Sequence, residues 1–162
     1  MDTSTLLHSL GTAKFVVNRN VEGVNHRDSL VHPQPDGRTF NWILGHMVRT
    51  RNEILELIGL KPFYPKSKFE VYSPKGFSEA KALDVEELKS CFNTLQGELE
   101  EGIKSLSSGK LNEPATLRPD RKDTVGSILA TVFWHEAYHA GQLGTMRRVI
   151  GKEGVIKNPA GE

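Results

Sequence analysis

The stretch "WHEAYHAGQ", residues 134–142, decides how this sequence is to be read. Two histidines stand four apart, and a glutamate follows the first directly. On a helix, positions i and i+4 share one face, so both imidazoles project the same way. That is the usual way for one helix to offer two nitrogens to one divalent ion. The same His-Glu-x-x-His spelling also begins the zinc-protease helix, which normally lies beside a sheet and needs a third ligand downstream.

The protease continuations fail on the residues that follow. In the form continuing His-x-x-Gly-x-x-His, the glycine and last histidine would stand at 142 and 145, where this chain has Gln142 and Thr145. In the form that recruits a later glutamate, the only candidates are Glu153 and Glu162, both in a short glycine-containing tail. No sheet is predicted either. "KFEVY" (68–72) alternates briefly, but one short run makes no sheet.

Working outward from the stretch, four segments carry helical spacing. The first runs from about Thr5 to Val24, with Leu6, Leu7, Leu10, Ala13, Val17 and Val21 as its apolar stripe and Thr3 or Ser4 as N-cap. "NHRDSLVHPQPDGR" then reads as a loop, because two prolines and a glycine interrupt any period. The second segment runs from about Phe40 to Ile58, with Thr39 as N-cap and Gly59 as its stop. Trp42, Ile43, His46, Met47, Arg49 or Thr50, Ile54 and Leu57 fall on one face. A long, proline- and aromatic-rich connection follows (61–82), of the length that often walls or covers a pocket.

The third segment opens at "LDVEEL", where Asp84 and Glu87 have capping-box spacing, and runs to about Ser107. Val85, Leu88, Cys91 or Phe92, Leu95, Leu99, Ile103 and Leu106 form its stripe, opposite a Glu- and Lys-rich face. The fourth starts near Thr124, with Asp123 or Thr124 as cap, and runs to Ile150 before Gly151. The expected fold is all-α: one four-helix bundle domain over residues 1–162, with long connections that leave room for a topology other than up-and-down.

Bulk composition narrows the function classes. A net charge of +1, from 21 basic and 20 acidic side chains, offers no dense basic face, so no nucleic-acid partner is expected. No basic run or long apolar segment predicts a membrane partner. A single cysteine, Cys91, excludes an intramolecular disulfide and suits a reducing compartment. With no basic, apolar leader at the N-terminus, a cytoplasmic location is expected.

The fourth segment places Gln142 one turn beyond His139, with Trp134 and Tyr138 flanking. Polar groups on an inner face are costly unless satisfied, and a metal would satisfy them. His46, among apolar neighbours in "NWILGHM", is the candidate third ligand, and Trp42 stands one turn before it. Three histidines from two helices would leave positions open for water or substrate. The alternative is three hydrogen-bonded structural histidines. Trp42, Tyr138 and Gln142 are the candidate substrate-binding residues, and no catalytic residue is assigned. Glu136 is either a partner of a ligand or one half of a buried ion pair. Arg147 and Arg148, two turns on, would draw an anion or form ion pairs at the bundle end.

The combination of His-Glu-x-x-His-x-Gly-Gln (135–142) with an upstream Trp-x-x-x-His (42–46) resembles the DinB-like superfamily, of DinB/YfiT type, over nearly the whole chain. The resemblance implies a four-helix bundle of non-simple topology. It implies one divalent ion per chain, zinc or nickel, on His46, His135 and His139, and a homodimer. It also implies a small-molecule thiol and an electrophile as partners, hence a thiol S-transferase. A thiol bound to a cation is deprotonated and becomes the nucleophile. The alternatives are a metal-dependent hydrolase and a non-catalytic metal- or ligand-binding bundle of the stress-response kind.

Overall fold

The computed structural model describes residues 2–33, 37–116 and 120–155. Four long helices form the body: α1 (Thr3–Val21), α3 (Phe40–Leu57), α4 (Val85–Lys104) and α6 (Val125–Val149). Two short helices, α2 (His26–Ser29) and α5 (Ser108–Asn112), lie in the connections. Two-residue strands, β1 (Pro114–Ala115) and β2 (Asp123–Thr124), pair antiparallel just before α6. The bundle expected from the periodicity is the observed fold. Among the described residues, no helix is long and apolar enough to cross a membrane.

The helix starts follow side-chain capping. Thr39 accepts from the Trp42 N–H, and Thr124 and Ser127 close a reciprocal capping box on α6. Three local expectations are corrected. Asp2, rather than Thr3 or Ser4, caps α1 by accepting from the Thr5 N–H. Asp84 caps α4 through the Glu86 N–H, while Glu87 turns away to pair with Lys68 at 3.0 Å. The segment 26–29, expected as loop, makes one helical turn because Asn25 caps it through the Asp28 N–H. "KFEVY" lies in a 3₁₀ helix, Lys66–Tyr72.

The packing order is the informative feature. α1 packs on α4 and α6, and α3 packs on α4 and α6. Consecutive long helices α1 and α3 therefore stand diagonally across the bundle, and so do α4 and α6. An up-and-down bundle would make every consecutive pair neighbours. The connections before α3 and before α6 cross the bundle ends. The long connection before α4 joins neighbours instead, and its 3₁₀ helix packs along α3.

The core runs through all four stripes, from Leu6, Leu10 and Val17 on α1 to Leu129 and Leu143 on α6. Arg51, not Arg49 or Thr50, is the charged residue inside: its side chain is 1% exposed and Glu136 opposite is 6% exposed. The guanidinium grips both carboxylate oxygens, Nε to Oε1 at 2.6 Å and Nη2 to Oε2 at 3.0 Å. Nη1 donates to the Phe92 carbonyl at 3.1 Å, and the Phe92 ring lies 3.5 Å beneath the guanidinium carbon. One side chain thus ties α3 to both α4 and α6.

At the bundle end, Arg147 donates to the Asn20 and Glu22 carbonyls at 2.7 and 2.6 Å. It satisfies carbonyls left open by the C-terminus of α1. Arg148, by contrast, is exposed. Glu162 lies outside the described residues.

Removing one partner of the buried pair strands a charge. Glu136→Gln or Arg51→Met is expected to cost about 3–5 kcal/mol in urea unfolding. The double variant Arg51→Met with Glu136→Leu is expected to recover most of that loss. Single variants as stable as the parent protein would show that the pair does not join the helices.

Candidate metal centre

The imidazoles of His46, His135 and His139 meet between α3 and α6. One ligand nitrogen from each lies within 4.8 Å of those of the other two. The rings stand edge-to-face, with centroids 4.3 Å apart for His135–His139, 5.1 Å for His46–His139 and 5.4 Å for His46–His135. The i, i+4 spacing on α6 presents one pair, and α3 brings the third. The other histidines stand elsewhere. His32 accompanies Glu79 at 2.6 Å, and His8 is exposed on α1.

Hydrogen bonds settle which nitrogens are available. The His139 Nδ1–H donates to Gln142 Oε1 at 2.7 Å, and the Gln142 amide in turn donates to the Tyr138 hydroxyl at 3.0 Å. The His46 Nδ1–H donates to the Tyr72 carbonyl at 3.3 Å. Amide and backbone oxygens only accept, so both imidazoles keep Nε2 as the lone-pair nitrogen. Locking the outer nitrogen in this way is the common arrangement behind metal-ligating histidines.

His135 Nε2 lies 2.9 Å from His139 Nε2. Two ring nitrogens at that distance need a proton or a cation between them. Two ligands of one tetrahedral zinc keep roughly 3.3 Å, from Zn–N bonds of about 2.0–2.1 Å. The donor set therefore fits a single divalent ion. A proton on His135 would serve His139 alone, whereas a cation would engage all three rings.

Burial favours the neutral, ligating form. It lowers the His46 pKa to about 4, with the neighbouring His139 adding to the effect. His135 and His139 are also shifted down, each mainly by burial. At neutral pH the uncharged form, with one lone pair per ring, is therefore favoured in all three.

Around the three rings, Trp42 stacks on His46 at 4.8 Å with planes 6° apart, and its edge meets His139. Tyr138 stands against His139 at 5.3 Å and stacks on the exposed Trp134. Trp42, Tyr138 and Gln142 thus all border the cluster. Glu136 points to Arg51 instead. With both oxygens gripped by the guanidinium, it is not placed as a base. Cys91 is buried in the core of α4.

Tyr72 is the residue that sequence reasoning missed. Its phenol donates to Asn41 Oδ1 at 3.0 Å and accepts from the Leu83 N–H at 2.8 Å, and burial pushes its pKa up to about 12. Its ring lies over Gly45, where an added Cβ would fall 2.3 Å from the ring. The Tyr72 carbonyl then reaches His46, the next residue. The only local signal was a glycine directly before a candidate ligand in "NWILGHM".

Matches to known proteins give the family and the fold. Residues 11–143 match the family model of the DinB superfamily. The chain belongs to that superfamily. Two solved structures share its fold. One is a conserved protein from Enterococcus faecalis, with TM-score 0.75, 15% identity, and coverage of 93% of this chain and 98% of that one. The other is YfiT from Bacillus subtilis, with TM-score 0.71, 15% identity, and coverage of 93% and 89%. YfiT is described as a probable metal-dependent hydrolase with an unusual four-helix-bundle topology. Among curated proteins there is no significant sequence match.

Gly45→Ala is expected to push the Tyr72 ring off α3, at a cost of about 1–3 kcal/mol from overpacking. It should also release His46 Nδ1. NMR of the His46 ring would report the tautomer: a mixture in the variant against Nδ1–H in the parent. An unchanged tautomer would show that the Tyr72 carbonyl does not orient this ring.

Proposed function

We propose that this DinB-superfamily chain is a metal-dependent enzyme that holds one divalent ion, zinc or nickel, on His46, His135 and His139. The observation that carries this reading is the convergence of three neutral imidazoles, two of them with the outer nitrogen locked by an acceptor. Imidazole donors suit zinc and nickel alike. Bound there, such an ion would acidify a thiol or a water and set it beside an electrophile.

We infer a transferase that uses a small-molecule thiol on a small electrophile. The chain's own contribution is positional. Gln142 and Tyr138 hold the His139 tautomer. Tyr72 and Trp42 hold the His46 ring. Trp42 and Tyr138 offer aromatic walls to a substrate. Glu136, tied to Arg51, keeps the two ligand-bearing helices in register. The second reading is hydrolysis, with water in place of the thiol, and the description of YfiT favours it.

A second copy is the partner we infer for α1 and α6. Their shared groove of about 630 Å³ is lined by apolar residues such as Leu6, Ala13, Phe133 and Ala137. Trp134, 70% exposed, stands at it, and Phe15 on α1 is 61% exposed. Large exposed apolar side chains beside an apolar groove favour an association site there.

Metal content of untagged protein, measured by mass spectrometry after exposure to zinc or nickel, tests the centre. About one ion per chain is expected in the parent, and loss of it in His46→Ala, His135→Ala and His139→Ala, each still folded. A parent that stays empty in excess metal would overturn the reading. In loaded protein, consumption of thiol with a model electrophile marks a transferase, and ester cleavage without thiol marks a hydrolase. Light scattering on the same sample is expected to give twice the chain mass of 18.0 kDa. A monomer would remove the second copy.

A further inference from the structure

One cation beside Trp42, the exposed Arg38, has no carboxylate partner among the described residues. It is nevertheless held in place. Its Nη2 donates to the Pro74 carbonyl at 2.8 Å, and its guanidinium carbon lies 4.5 Å from the Trp42 ring centroid. Trp42 in turn stacks on His46. The Tyr72 and Pro74 carbonyls, two residues apart, thus hold His46 and Arg38 along one edge, with one indole between them. The other arginine near His46, Arg49, is neutralised by Glu53 at 2.7 Å. Arg147 is buried and committed to the α1 carbonyls.

The tryptophan adds an independent observation. Trp42 is 6% exposed, and its indole N–H is buried with no acceptor among the described residues. A buried donor of this kind usually finds its partner in a bound molecule or water. A planar guanidinium on an aromatic face, with four N–H bonds that no described residue takes up beyond the Pro74 contact, matches the fork of a carboxylate.

We propose that Arg38 and Trp42 form a subsite for the carboxylate of a small-molecule ligand whose reacting end lies at the three histidines. The placement rests on the reading of those histidines as the reaction centre. The subsite selects anionic over neutral ligands of equal size. Arg38 supplies charge and direction on the indole face, and the Trp42 N–H, enclosed in this structure, reaches an acceptor when the ligand shifts the indole.

The indole N–H resonance of Trp42, identified by its loss in Trp42→Phe, reports the subsite directly. Succinate and its neutral diamide, succinamide, are titrated into metal-free and zinc-exposed protein at low ionic strength. Succinate is expected to move the Trp42 signal, and succinamide is not. Arg38→Met is expected to weaken succinate about tenfold, the size of one charge-assisted contact. Arg38→Lys should retain part of the binding, and added salt should erode it. A Trp42 signal indifferent to succinate, or equal binding by Arg38→Met, would overturn the subsite. Zinc content read on the same samples separates the two readings. Zinc bound with a silent Trp42 sinks the subsite and leaves the centre. A succinate response lost in Arg38→Met, in zinc-exposed protein that takes up no zinc, supports the subsite and sinks the centre.

Discussion

The bidentate pair between Arg51 and Glu136 is the constraint on which the centre depends. It lies inside the bundle, it joins α3 to α6, and it excludes other roles for both residues. Two charges taken out of water repay their desolvation only when geometry is good and the remaining donors are used. Both conditions hold, since the third guanidinium branch reaches the Phe92 carbonyl. Such a pair adds little net stability compared with a packed apolar core. What it fixes is register: slide α3 along α6 by one turn and both charges lose their partners. His46 stands five residues before Arg51, and His135 directly precedes Glu136. The register that satisfies the ion pair is therefore the register that brings the imidazoles together.

The second support comes from outside the helices. The connection between α3 and α4 joins neighbours, so its length is not needed to span the bundle. Its 3₁₀ helix lies along α3 and delivers the Tyr72 carbonyl to His46. The Tyr72 phenol, Asn41 and the Leu83 backbone anchor that segment from the far side. Gly45 makes the close approach possible by offering no side chain to the ring. Each locked histidine thus has its own brace: a side-chain amide on α6 for His139, and a loop carbonyl for His46.

Much of this was legible in the residues, for a definite reason. Period 3.6 reports which face of a helix is apolar, and the stripes on α1 and α4 follow it. The His135–His139 pair is legible because i, i+4 geometry holds for any α-helix, whatever the helix packs against. Thr39 and Thr124 are legible because capping is local. Diagonal packing is not, because periodicity says that a face is buried but not which helix buries it. Arg51 was hidden for a related reason. Arginine is almost never fully buried without a partner, so the stripe was drawn through Arg49 or Thr50, and the partner stood 85 residues away. Tyr72 was hidden because the group that matters is its backbone carbonyl, which every residue has. Asp2 displaced Thr3 and Ser4 at the cap, a shift of the size at which helix ends are always uncertain.

These supports also separate folding from ligand binding. The ion pair, the Tyr72 brace and the four apolar stripes are complete without any ion at the histidines. The bundle therefore has reason to fold first and present the three nitrogens already oriented, at the cost of crowding three neutral imidazoles at one point. That cost is what a bound cation would relieve. An ion that binds only the folded chain adds stability in proportion to its saturation, and loss of one ligand removes that increment while leaving the ion pair in place. Loss of Arg51 or Glu136 acts the other way, since it loosens the helix register that places the ligands. Damage at the histidines should thus be read out mainly in metal affinity, and damage at the ion pair in stability first and in metal affinity as a consequence.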